Sequence, residues 1–118
     1  MVAAKLQIKP GMSVALVDVP EGVGVELPEE CTTAPAPDAA DAVLVFVRDR
    51  AGLDAGAEPA IAAGRRDALA WVAYPKSGQL GTDLNRDSLA AAVKERGVQP
   101  VRQVAIDDVW SALRLRPV

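Results

Sequence analysis

The chain has 118 residues, 50% of them hydrophobic but only 3% aromatic, and 13 basic against 16 acidic residues leave a formal net charge of −3. That length supports one domain, residues 1–118, around one ordinary core, and excludes a two-domain enzyme. The absence of histidine removes Ser-His-Asp and Cys-His catalysis and HExxH metal sites, and the acidic balance argues against nucleic-acid binding.

A Pro10-Gly11 turn leads into the first predicted strand, residues 13–18, whose Val14-Ala15-Leu16-Val17 run is apolar on both faces, as in a buried central strand. Pro20, Pro28, Pro35 and Pro37 then interrupt residues 19–41, and no 3.6-residue apolar repeat survives between them. This stretch is read as connection, with a short strand near 23–27 or at 31–33. Residues 42–47 (Ala-Val-Leu-Val-Phe-Val) form the strongest predicted strand, and both its faces should be covered. Asp49 can cap a helix running to about residue 63, with Leu53, Ala57 and Ile61 on one face and a break near Pro59. Residues 68–74 make the next strand, followed by a turn-rich loop, 75–83. The best-marked helix covers 86–96: Asn85 is its N-cap, Asp87 lies in its first turn, Gly97 stops it, and Leu84 and Leu89 occupy the staple positions. Strands 101–106 and 111–116 close the chain as an antiparallel hairpin around Asp107-Asp108.

Strands alternating with helices pair in parallel through right-handed crossovers. The expected fold is therefore α/β, a three-layer-type, Rossmann-like, mostly parallel sheet of about five to six strands whose C-terminal hairpin adds one antiparallel strand at an edge. Both helices fall on one side of it. The other side has only residues 1–9 and 19–41 to shield strands that are apolar on both parities. Either 19–41 folds over that face or a second chain does, and a homodimer or a protein partner there is the expectation.

Four segments resemble a bacterial family known only as a domain of unknown function: Lys5-Leu6-x-Ile8-Lys9-Pro10-Gly11-Met12, Trp71-Val72-Ala73-Tyr74-Pro75-Lys76, Thr82-Asp83-Leu84 and Asp107-Asp108-x-Trp110-Ser111. Members of that family look like shortened relatives of class I methyltransferases. The resemblance runs over nearly the whole chain in segments and implies a truncated methyltransferase-like sheet. It carries no activity with it. Where a working methyltransferase has a Gly-rich turn for S-adenosylmethionine, this chain has residues 18–27, in which Gly22-x-Gly24 is a fragment of the motif and Leu27 stands at its third glycine. The resemblance thus implies a non-catalytic domain with no cofactor.

Ligands of open α/β sheets sit beyond the carboxyl ends of the strands. That edge would gather Asp18 and Glu21 after the first strand, Arg48 and Asp49 after the second strong one, and Tyr74, Lys76, Ser77, Thr82 and Asp83 after the third. One reading is a pocket for an anionic metabolite or nucleotide, with Lys76 as charged anchor and Ser77 and Thr82 as donors. The other is a structured turn, with Asp83 or Asn85 capping the next helix, which accounts for most of these residues without a ligand. No catalytic residue or metal ligand is expected. Cys31 beside Glu29 and Glu30 is a poor thiolate, acidic pairs read as solvated turns, and Trp71 and Trp110 read as core. The lone Cys31, the lack of any apolar run near the ~18 residues of a membrane span, and the lack of a signal-peptide centre make a cytoplasmic location the expectation, with no membrane association. Two roles follow: assembly or partner binding without catalysis, or small-molecule binding or enzymatic use of the Lys76 cluster.

Overall fold

The computed structural model describes residues 5–33, 36–76 and 78–118. Its strands are β1 (Ser13–Val17), β2 (Thr32–Thr33), β3 (Ala42–Phe46), β4 (Leu69–Pro75), β5 (Val98–Ala105) and β6 (Trp110–Pro117). They form one mixed sheet in the order β2-β1-β3-β4-β6-β5. The first four are parallel, and β6 is antiparallel to both β4 and β5, so β5 runs the same way as β4. The helices are α1 (Arg50–Gly56), α2 (Glu58–Arg65) and α3 (Arg86–Lys94), with a 3-10 turn at Pro37–Ala39.

Asp41 ties three strand starts together. Its carboxylate accepts the Ser13 amide at 3.0 Å, its amide donates to the Ser13 hydroxyl at 3.0 Å, and its carbonyl accepts the Leu69 amide at 3.1 Å. Every residue of β3 and β4 is buried, which is why both read as unbroken apolar runs. Asp49 caps α1 by accepting the Gly52 amide at 2.7 Å, and the expected break falls at Ala57, with Pro59 in the first turn of α2, where its missing N–H is harmless. Leu53, Ala57 and Ile61 are no more than 1% exposed. They join Val43, Val45, Val72, Leu89, Val93, Leu113 and Leu115 in the core under the helices.

The helix-free face is covered by the chain itself. Leu6 and Ile8 from the N-terminal segment, with half-buried Val23, Val25, Leu27 and Cys31, pack on Val14, Leu44, Phe46, Trp71, Ala73 and Trp110. Trp71 is 0% exposed, and its indole N–H donates to the Leu6 carbonyl at 2.9 Å. Of the two expected covers, residues of 19–41 therefore supply one within a single chain, and burial of this face needs no second copy. The cover is irregular, so the helices make a layer on one side only.

Other expectations shift. No strand forms at 23–27, and the short one lies at Thr32–Thr33. Helix α3 stops at Lys94, two residues early. Strand β5 starts at Val98, ahead of Pro100, because the outermost strand tolerates a missing N–H and the register shifts between Pro100 and Arg102. The antiparallel strand is not at the edge: β6 is inserted between β4 and β5, so its alternate residues are buried on both faces. Pro35, Ser77 and residues 1–4 lie outside the described residues.

Candidate functional site

Beyond the carboxyl end of β4, on the helix side of the sheet, a cavity of about 410 Å3 opens between β4, the start of α3 and the β5–β6 hairpin. Its floor is Tyr74 and Ser111, cross-strand neighbours on β4 and β6 that are 2% and 3% exposed. The Gln103 amide of β5 donates to the Tyr74 oxygen at 3.3 Å and to the Ser111 hydroxyl at 3.1 Å, and that hydroxyl donates to the Val104 carbonyl at 3.1 Å. Burial holds the Tyr74 phenol above its ordinary pKa, with Ser111 partly offsetting it, so the ring presents a neutral O–H at physiological pH.

Lys76 stands at the rim on a fixed backbone: its amide donates to the Val109 carbonyl at 2.7 Å, and its carbonyl accepts the Gln79 amide at 2.8 Å. Across the cavity, the Asn85 carboxamide accepts the Ser88 amide at 2.9 Å while the Ser88 hydroxyl accepts the Asn85 amide at 3.0 Å. This capping box fixes the start of α3, and with it Arg86 and Asp87, which also line the cavity. Among the described residues neither Lys76 nor Arg86 enters a salt bridge. Against the single carboxylate of Asp87 they leave the lining with net positive charge.

Of the strand-end residues named from sequence, Tyr74 and Lys76 meet here. Thr82 does not: its hydroxyl accepts the Leu84 amide at 3.1 Å within its own turn. Asp83 reaches backward instead, accepting the Arg50 amide at 2.8 Å, so it serves the first turn of α1 while Asn85 alone caps α3. Asp18 lies over the end of α1, its carboxylate 3.9 Å from where a Cβ on Gly56 would stand. Glu21 lines a different cavity of about 250 Å3, with Gly22, Arg48, Leu80, Asp107 and Trp110. Asp49 is the α1 cap. Ser77 lies outside the described residues. Gly22 takes φ 82, a Cβ on Gly24 would meet nothing within 4 Å, and no helix starts between residues 19 and 33.

Sequence reasoning missed Asn85, Arg86, Asp87, Gln103 and Ser111 as lining residues. The first three carried a signal, since a helix that follows a strand presents its N-terminus at the strand's carboxyl end. Gln103 and Ser111 carried none, because their place depends on β6 entering beside β4.

Fold and cleft together define a mixed α/β domain with a polar, net-positive pocket at a strand end. Comparison with family models, curated proteins and solved structures finds no match to the chain. Among the described residues no group of three or more His, Cys, Asp or Glu could hold a metal ion, and no helix is long and apolar enough to cross a membrane.

Proposed function

We propose that this chain is a small-molecule-binding domain that takes an anionic ligand in the Lys76 cleft, on a sheet that is a truncated, non-catalytic relative of the methyltransferase fold. The observation that carries the first part is the convergence of Lys76 and Arg86, both without a carboxylate partner among the described residues, on a 410 Å3 cavity floored by Tyr74 and Ser111. That volume lies within the range of small-ligand sites, roughly 300–1,000 Å3. Two cations would meet the ligand's charge, and the Tyr74 hydroxyl, which accepts from Gln103 and keeps its own proton free, would donate to one of its oxygens. The terminal antiparallel hairpin supports the second part. An assembly role through the helix-free face is the weaker reading, since the chain's own segments already cover that face.

A thermal-shift screen with nucleotides, S-adenosylmethionine, acyl-CoA and phosphorylated metabolites tests the binding role. A ligand at 100 times its Kd adds about 2.7 kcal/mol. We expect a saturable rise for a phosphorylated or carboxylated compound that Lys76→Ala abolishes and Arg86→Ala weakens. No rise with any anionic compound refutes it.

A further inference from the structure

A second basic cavity lies at the other end of the sheet. It has a volume of about 250 Å3, sits by the amino ends of the parallel strands on the helix-free face, and is lined by Gln7, Lys9, Met12, Leu69 and Arg114. No carboxylate lines it. Arg114 sits on β6 opposite Trp71, whose fully buried ring fixes the neighbouring Leu6 carbonyl. The guanidinium is held from one side only: its Nη1 donates to the Gln7 side-chain carbonyl at 2.7 Å. Its Nε is buried without any hydrogen-bond partner, alone in this among the side-chain nitrogens and oxygens of the described residues.

Nε and Nη2 share the guanidinium edge that grips an oxyanion with two parallel hydrogen bonds. The chain uses that edge two residues away, where Arg116 Nε and Nη2 donate to the two Asp67 oxygens at 3.0 and 3.1 Å. Asp67 is thereby committed. Arg114, with the same edge, feels the Asp67 charge at a distance but hydrogen-bonds only the neutral amide of Gln7, and a buried N–H left unpaired is costly. Lys9 supplies a second positive charge at the cavity.

We propose that this cavity is an oxyanion site, in which a carboxylate or phosphate group of a small molecule takes a hydrogen bond from Arg114 Nη2 and a charge contact from Lys9, and a small turn of the guanidinium brings its buried Nε–H into the pair. The site is independent of the Lys76 cleft. Solution NMR of the full chain can follow the Arg114 Nε–H resonance while inorganic phosphate, and separately acetate, is raised to ~20 mM, well above a Kd of 1 mM. We expect a saturable shift, with the stronger of the two anions showing whether the ligand bears phosphate or carboxylate. Lys9→Ala should weaken it by about tenfold while Lys76→Ala leaves it unchanged. A resonance that neither anion moves, or a titration unaltered in Lys9→Ala, overturns the proposal.

Discussion

Gly64 shows how little slack the core under the helices has. A Cβ there would stand 3.0 Å from Val98 Cγ1 and 3.2 Å from Leu115 Cβ, both on buried strand residues. Alanine's better helix propensity, worth about 1 kcal/mol, is outweighed by overpacking of roughly 1–3 kcal/mol. Gly64→Ala should therefore lower the urea-unfolding free energy, by up to ~2 kcal/mol. Asp83 gives a sharper contrast between structure and site. Because it holds the Arg50 amide, Asp83→Ala should cost about 1 kcal/mol by the same measurement and leave anion binding at Lys76 unchanged. A loss of binding at full stability would return Asp83 to the ligand site. The Asn85 cap was legible because its partner is three residues away. The Asp83 bond spans 33 residues, and no local pattern reveals it.

Between elements, the ties are charged. Glu58 at the start of α2 pairs with Arg65 of its own helix and with Arg96 just past α3, while Asp67 pairs with Arg116 of β6. Burial raises the Glu58 pKa more than any single neighbour lowers it, yet Arg96 and Arg65 together bring it below its ordinary 4.5. Asp67 is likewise lowered, chiefly by its hydrogen bonds from Arg116. A carboxyl depressed in the folded state adds stability above its unfolded pKa and loses it as pH falls through the folded one. Thermal-unfolding midpoints should thus drop as pH is lowered below about 4.5, and Glu58→Gln should flatten part of that fall. The effect is small, since both carboxylates are about half exposed and their three ion pairs are screened by solvent. Most elements were legible because each carries its own period or cap. Strand β5 was clipped because Pro100 reads as a breaker unless its edge position is known, and edge position is a property of the whole sheet.

At the scale of the molecule, the two-sided apolar strands showed that both faces of the sheet need covering, but not what covers the second. An irregular segment has no period of its own, and the alternation of Val23, Val25 and Leu27, which reads as a short strand, belongs instead to irregular chain packed on the sheet. With that face closed, light scattering should give the mass of a single 12.3 kDa chain, with little binding of a hydrophobic dye. A stable dimer would move the interface to another surface. The inserted β6 also sets an order of events. β5 and β6 are joined by a four-residue turn and can zip locally, whereas β4 must wait for Trp110–Pro117 to arrive across some forty residues before its second edge is paired. Docking of the hairpin onto β4 should then complete the sheet after the rate-limiting barrier to folding has been passed. Truncating Leu113, which faces Val72 across that junction, should speed unfolding far more than it slows folding in stopped-flow measurements.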